Sequence, residues 1–399
     1  MPILSNDLSL HKERAYWSGV FAMTLCVFAL IASEFMPVSL LTPISGDLGV
    51  SEGLVGQGIA ISGVFAVLTS LSISTLAGGL NRKTLLLSMT ALMAFSGAII
   101  ALAPSYLIYM VGRALIGIAI GGFWSLSAAT ALRLVPQHQV PSALAIFNGG
   151  NALATVIAAP LGSYLGSVIG WRGAFFCLVP VGVIVFIWQW FSLPAMTADK
   201  SDKRTGVFRL LANPLVAMGL AACGLFFMGQ FALFTYLRPF LERVTQVDIT
   251  TLSLILLTIG VAGFMGTLVI SAFLASGFYP TLIAIPLLMA AIAGALIAFG
   301  HSHSIWIVAT LLGLWGLIAT AAPTGWWTWI ARTLPEDAEA GGGLMVAIVQ
   351  LSIALGSTIG GLAFDHSGYQ STFTISGILL VIAAALALLT SRKDIHQTQ

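Results

Sequence analysis

The chain has 399 residues, of which 58% are hydrophobic and 8% are charged, and its formal net charge is +2. An average soluble domain is about 45–50% apolar and about 25% charged, so this chain has too few charges to cover a surface facing water. The composition excludes an ordinary soluble protein, and the small, scattered charge argues against binding to nucleic acid. The three cysteines lie in apolar runs without metal-ligand spacing, so we expect neither a disulfide framework nor a metal site.

Long apolar runs separated by short polar breaks follow one another along the chain. A membrane-spanning helix needs about 20 mostly apolar residues, because its backbone polar groups must be satisfied within the segment. The breaks predict twelve spans and lie near residues 45–51, 81–83, 104–105, 133–141, 170–172, 193–213, 238–248, 276–280, 301–304, 332–341 and 366–370.

The distribution of Lys and Arg predicts how these spans are oriented. Short cytoplasmic loops of membrane proteins carry an excess of basic residues. The loops of one side carry only Arg172, Arg238 and Arg243. The other side is much richer in basic residues and holds both termini, which we therefore expect in the cytoplasm; its basic residues are Lys12, Arg14, Arg82, Lys83, Arg133, Lys200, Lys203, Arg204, Arg209, Arg332, Arg392 and Lys393.

An internal repeat divides the chain near its middle. The segment Arg133-Leu-Val-Pro136 recurs 199 residues later as Arg332-Thr-Leu-Pro335, and Gly170 and Gly368 are matched at an offset of 198. The longest polar stretch lies between the two copies. We therefore predict an all-α polytopic membrane protein with 12 transmembrane helices in two pseudo-symmetric six-helix bundles, residues 1–193 and 213–399, joined by a cytoplasmic linker, residues 194–212. Transporters with two parallel repeats bind substrate near the midplane, where the halves meet.

Two ionisable residues, Glu34 and Arg113, lie well within predicted spans. Such residues are costly in hydrocarbon and usually face a cavity with a function. Desolvation favours the protonated form of Glu34, which makes it our candidate proton carrier; the alternative is a permanently paired carboxylate that holds helices together. Arg113 keeps its charge, so it can influence Glu34, or it can simply hold a backbone carbonyl.

The repeat also pairs polar residues at membrane depth. Asn151 matches Gln350 at an offset of 199, and Glu34 matches Gln230 at an offset of 196. Amides facing a hydrated cavity can donate to and accept from a polar heterocycle or a sugar, so these residues are candidate walls of one substrate site. Hydrogen bonding between helices is the structural alternative. Weaker candidates for contact with substrate are Asn148, Gln57, Tyr236, Trp124 and Trp327.

The sequence lacks the motifs of other functions. It has no phosphate-binding GxxxxGK[ST] loop, which argues against ATP-driven transport. It also has no constellation of a nucleophile and a base, so we expect neither an enzyme nor a cofactor, and a proton gradient would supply the energy.

Several motifs resemble the major facilitator superfamily, in its drug:H+ antiporter branch. Residues Arg113 to Gly117 resemble the RxxxG motif of the fourth helix, and Ala159-Pro-Leu-Gly162 resembles the antiporter motif of the fifth. Other stretches are similar to purine ribonucleoside efflux members of the branch, among them Gly229-Gln-Phe231, Thr235-Tyr-Leu-Arg-Pro239, Gly121-Gly-Phe-Trp124 and Gly325-Trp-Trp-Thr-Trp-Ile330.

The resemblance implies a function and a location. It implies export of purine ribonucleosides such as inosine and guanosine, and of purine analogues, in exchange for protons, by a monomer in the lipid of a bacterial inner membrane. Efflux of sugars or drugs by the same fold, and facilitated transport without proton coupling, are the alternatives. Glu34 is the single carboxylate well within a predicted span, and its presence favours proton coupling.

Overall fold

The computed structural model describes residues 15–76, 80–136, 139–196, 207–300, 305–334 and 338–398. All regular secondary structure within these ranges is helical. The α-helices are α1 (Trp17–Leu48), α2 (Glu52–Leu76), α3 (Arg82–Ala101), α4 (Tyr106–Leu134), α5 (Val140–Phe176), α6 (Leu178–Ser192), α7 (Pro214–Phe234), α8 (Leu237–Arg243), α9 (Ile249–Ser276), α10 (Phe278–Phe299), α11 (Ile305–Thr333) and α12 (Ala338–Thr398). Of the predicted linker, residues 197–206 lie outside the described ranges, and Val207–Ala212 form a 3₁₀-helix.

Ten helical segments of the described chain are long and apolar enough to cross a membrane, where the sequence predicted twelve spans. Two of them, Gly149–Ser192 and Gly341–Asp394, are 44 and 54 residues long, about twice the length that one crossing needs. Each continues through a predicted break, because a single glycine carries the change of direction there. Gly170 has φ 75° and ψ 164°, and Gly368 has φ 75° and ψ −175°. The residues that the repeat pairs therefore share one unusual backbone conformation.

A turn at Thr235 and Tyr236 separates α7 from α8. It lies one helical turn before Pro239, whose ring has no N–H and clashes with the carbonyl of the residue four positions earlier. The expectation that Arg238 lies in an exposed loop was wrong, because the helix resumes at Leu237 and buries this side chain to 5% exposure. Arg238 donates to the carbonyl of Ser39 on α1 and to Glu242 Oε1, the latter over 2.8 Å.

The helices pack into two groups. In the N-terminal group, α1 packs on α5, α2 on α4, and α3 on α4 and α6; in the C-terminal group, α7 and α10 pack on α12, and α9 packs on α11. The groups meet where α2 contacts α12, α5 contacts α9, and α1 contacts α8. Glycines permit this approach, since an added Cβ at Gly63 would overlap the backbone of Gln350, and one at Gly260 would overlap that of Val156. The interface between the groups is therefore the place to look for a site.

Candidate functional site

Glu34 and Gln350 meet at the interface between the two helix groups. Glu34 lies on α1 and is 3% exposed, and Gln350 lies on α12 and is 8% exposed. Gln350 Nε2 donates a hydrogen bond to Glu34 Oε1 over 3.2 Å. The structure thus brings together two of the residues that the sequence singled out, one from each copy of the repeat.

Arg113 cross-links three helices of the N-terminal group. Its side chain is fully buried. Nε donates to the Gly58 carbonyl over 2.9 Å, Nη1 donates to the Ser33 carbonyl over 2.7 Å, and Nη2 donates to the Glu34 carbonyl and to Ser62 Oγ, each over 3.1 Å. The guanidinium therefore binds the backbone of Glu34, and the described contacts include no ion pair with the Glu34 carboxylate. This is the structural role that the sequence left open for Arg113.

Glycines of α4 explain why Arg113 reaches these partners. An added Cβ at Gly117 would overlap the carbonyl oxygen of Ser62, and one at Gly121 would overlap that of Ala66. Both glycines therefore let α4 lie directly against the backbone of α2. The RxxxG spacing places Arg113 one turn before Gly117, where α4 and α2 are close enough for its guanidinium to reach across to α1.

Two of the candidate amides have a buried oxygen without a hydrogen-bond partner among the described residues. They are Gln230 Oε1 on α7 and Gln350 Oε1 on α12, and both are buried. An unsatisfied buried acceptor costs about 1–3 kcal/mol, which a polar ligand or a water molecule would recover. Asn151, the repeat mate of Gln350, is half-buried on α5 one turn before Thr155. The amides predicted from the repeat thus include acceptors that a ligand could satisfy.

Gln57 and Tyr236 make structural contacts in this conformation. Gln57 Oε1 on α2 accepts from Thr358 Oγ1 on α12 over 3.1 Å, so it links the two groups. The Tyr236 hydroxyl is buried and donates to the Ser357 carbonyl over 2.7 Å, while its ring stacks on Phe364 with centroids 5.4 Å apart. Both side chains are therefore occupied by the protein itself.

The remaining candidates are Trp124, Trp327 and Asn148. Trp124 is half-buried on α4 and contacts Phe147 edge-on, with ring centroids 6.0 Å apart. Trp327 on α11 is 44% exposed. Asn148 is in α5, but its side chain lies outside the described part of the chain.

A further contact between the groups joins the start of α2 to the chain near residue 365. We call it the 51–365 contact; it consists of Ser51, Glu52, Gly53, Arg243 and Asp365. The Asp365 carboxylate accepts from the Ser51 hydroxyl and, over 3.1 Å, from the Gly53 backbone N–H, while Arg243 of α8 pairs with Glu52. Sequence reasoning missed this contact, because the pattern around each of these residues is only that of a polar break between spans.

The comparison with protein families decides the identity of the fold. A model of the Major Facilitator Superfamily matches residues 23–345. The chain belongs to the Major Facilitator Superfamily. Together with its long apolar helices, membership of the superfamily makes it a multi-pass membrane protein that transports a small molecule and is not a catalyst.

The chain is also similar to individual proteins and solved structures. The chain is 64% identical over 386 residues to the "Transcription regulatory protein OpdE" of Pseudomonas aeruginosa, covering 96% of each. It is 40% identical over 371 residues to the "Purine ribonucleoside efflux pump NepI" of Salmonella enteritidis, covering 93% of each. A crystal structure of a D-xylose-proton symporter superposes with a TM-score of 0.75 at 14% identity, covering 93% of this chain and 97% of that one. The inward-facing structure of a bacterial homologue of the human lysosomal transporter Spinster superposes with a TM-score of 0.72 at 17% identity, covering 96% of this chain and 98% of that one. These two structures support the fold alone.

Proposed function

We propose that the protein exports purine ribonucleosides such as inosine and guanosine, and purine analogues, in exchange for protons by alternating access. The 40% identity to purine ribonucleoside efflux pumps over 93% of the chain supports this substrate class. The observation that carries the coupling is the position of Glu34, which is buried on one helix group and bonded to Gln350 of the other.

The chemistry of this pair suits a proton carrier. An amide can donate through its nitrogen or accept through its oxygen. Gln350 donates to Glu34 in the structure and keeps an unpartnered Oε1, so a rotated amide could accept from a protonated Glu34. Arg113, in turn, uses its donors on carbonyls and on Ser62. No described salt bridge therefore holds the Glu34 carboxylate, which supports its exchanging a proton.

The proposed topology follows from the two long segments and the repeat. Gly170 and Gly368 would each divide one segment into two crossings, which raises ten long helices to twelve spans in two six-helix bundles, residues 1–193 and 213–399, with residues 194–212 as the linker. The side that is rich in basic residues then faces the cytoplasm together with both termini, in a bacterial inner membrane. The 51–365 contact would lie on the outer side, and the protein would work as a monomer.

Transport assays in proteoliposomes test the proposal. Wild-type protein should concentrate radiolabelled inosine against its gradient when a pH difference is imposed. Glu34→Gln should abolish this accumulation yet still exchange inosine at equal pH, because the amide remains able to bond Gln350 but cannot release a proton. Asp248→Asn, which removes an exposed carboxylate at the start of α9, is the matched control and should behave as wild type.

The outcomes separate the alternatives. Accumulation by Glu34→Gln at the wild-type level would refute coupling through Glu34. Transport that ignores the pH difference in the wild type would indicate an uncoupled facilitator. A panel of nucleosides, sugars and drugs in inverted vesicles would decide the substrate class, since only nucleosides and purine analogues should be moved under our proposal.

The 64% identical relative supports a second candidate function. Its name assigns that protein to transcription regulation, and a transporter can act on transcription by lowering the cytoplasmic concentration of an effector. We infer that any regulatory effect of this chain would be indirect and would require transport. Comparing transcripts between a deletion strain, the wild type and a strain with a transport-dead variant tests this, because a transport-dead variant that restores the wild-type pattern would refute the indirect route.

A further inference from the structure

A small cavity lies where α5 of the N-terminal group faces three helices of the C-terminal group. Its volume is about 50 Å³, and its wall includes Thr155 of α5, Phe234 of α7, Gly260 of α9, and Trp315 and Thr320 of α11. A volume of this size holds one or two water molecules. Because its walls belong to both groups, the cavity must change in size whenever the groups move relative to each other.

The cavity lies on helix faces that also carry two of the candidate substrate residues. Thr155 lies one helical turn after Asn151, and Phe234 lies one turn after Gln230, so each shares a helix face with a predicted substrate residue. A row of aromatic rings also joins the cavity wall to α1. Phe234 contacts Phe231 with centroids 5.9 Å apart, and Phe231 stacks on Phe35 of α1 at 5.5 Å.

Trp315 lines this cavity and carries a buried donor without a partner in the described part of the chain. Its side chain is 1% exposed, and its indole Nε1 has no hydrogen-bond partner among the described residues. A buried N–H without an acceptor is costly in a protein interior. A ligand that brings an acceptor on a flat ring would satisfy this donor and would pack against the neighbouring Phe234.

We propose that Trp315 is a substrate-binding residue, whose indole N–H donates to an acceptor on the purine ring when α5 and α9 separate. This inference rests on the proposed function and names one side of the same site. The separation would break the hydrogen bond from Ser253 Oγ of α9 to Ser163 Oγ of α5, which spans 3.0 Å. It would also release the packing of Gly260 on Val156. The 50 Å³ cavity would then widen into a cleft open to the amides of Gln230 and Asn151.

The test is inosine transport by Trp315→Phe in proteoliposomes. Phenylalanine keeps a buried aromatic ring and removes the donor. We expect the inosine concentration at half-maximal rate to rise about 5- to 30-fold, with a smaller change in maximal rate. Trp329→Phe is the matched control. Trp329 is an equally buried indole on the same helix, and its Nε1 also has no acceptor among the described residues, but it packs against Gly219 of α7 and does not line the cavity. It should leave the half-saturating concentration within about twofold of wild type.

A second variant keeps the inference testable if Trp315→Phe does not fold in detergent. Thr155→Leu adds bulk to the cavity from the opposite group and should also raise the half-saturating concentration. A folded Trp315→Phe with wild-type affinity and a lowered Tm would mean that only water occupies the cavity, and would overturn the inference. If Trp315→Phe does not fold, a Thr155→Leu variant with wild-type affinity would overturn the inference. Wild-type protein that moves no inosine would instead overturn the proposed function and this inference together.

Discussion

Removing the Asp365 carboxylate should shift the protein away from the conformation described here. In that conformation Asp365 accepts hydrogen bonds from the Ser51 hydroxyl and the Gly53 backbone N–H. Gly53 is the second residue of α2, so the carboxylate caps the N-terminus of a helix that belongs to the other group. Asp365→Ala removes both bonds and the favourable interaction with the helix dipole.

The size of the effect follows from these contacts. A hydrogen bond to a charged group contributes about 1.5–3 kcal/mol when it is buried, and a carboxylate at a helix N-terminus contributes about 0.3–1 kcal/mol. Asp365 is exposed, so water replaces part of what is lost. We expect a total loss of about 1–2 kcal/mol. This lowers the population of the described conformation, relative to one in which the two groups are apart on this side, by about 5- to 30-fold. The Glu52–Arg243 pair remains and limits the shift.

Distances between spin labels measure this ratio directly. Labels at Leu102, at the end of α3, and at Ile249, at the start of α9, report the separation of the two groups on the side of the 51–365 contact. Asp365→Ala should add a longer distance to the distribution. Asp248→Ala is the control, because it removes an acidic cap that binds only within its own helix. The reasoning is refuted if Asp365→Ala leaves the distribution unchanged or alters it no more than Asp248→Ala does.

Three further predictions concern single elements. Arg113→Lys retains the charge but cannot reach four acceptors at once, so we expect the free energy of unfolding to fall by about 2–4 kcal/mol, measured as a lower Tm in detergent. Gly170→Ala and Gly368→Ala should each lower it by about 1–2 kcal/mol, since both glycines have φ 75°; very different costs would contradict the equivalence of the two turns. The hydroxyl of Thr251 holds the pKa of the Asp248 carboxyl below its usual range, so the ionised cap stabilises the fold above the usual pKa of aspartate, and this contribution is lost as the pH falls through the lowered pKa. Thr251→Val should raise that pKa, which NMR titration would detect.

The sequence predicted those parts of the fold that composition and repetition determine. Polar breaks located the ends of the helices, and the offset of 198 paired Gly170 with Gly368. The sequence did not predict that the chain stays helical on both sides of these two glycines, because the polarity of the neighbouring residues does not determine the backbone conformation of a glycine. The sequence also predicts a loop at Arg238, because a charged residue usually faces water. Its hydrogen bonds to Ser39 and Glu242 allow it to be buried instead.

The candidate site was predictable only where unusual residues stand in apolar surroundings. A carboxyl at Glu34 and an amide at Gln350 are rare enough in such segments to be noticed. The partners of Arg113 are mostly backbone carbonyls, which no side-chain pattern encodes. Trp315 lies in an apolar run of α11 and differs from an ordinary core residue only in the missing acceptor at its Nε1, which is a property of the packing. Asp365 acquires its role only through a helix from the other half of the chain.

The different partners of Arg113 and Glu34 support separate roles for them in the proposed coupling of protons to movement. A ligand shifts a conformational equilibrium only by the difference in its interactions with the two conformations. Apart from the Glu34 carbonyl, the contacts of Arg113 are to Ser33, Gly58 and Ser62, so all of them lie within the N-terminal group and persist when the groups separate. The Glu34 side chain bonds to Gln350 across the interface, so a change in its charge alters an interaction that separation breaks. Under the proposed function, protonation at Glu34 would therefore bias the movement, whereas the hydrogen bonds of Arg113 hold the helix that carries Glu34 in place.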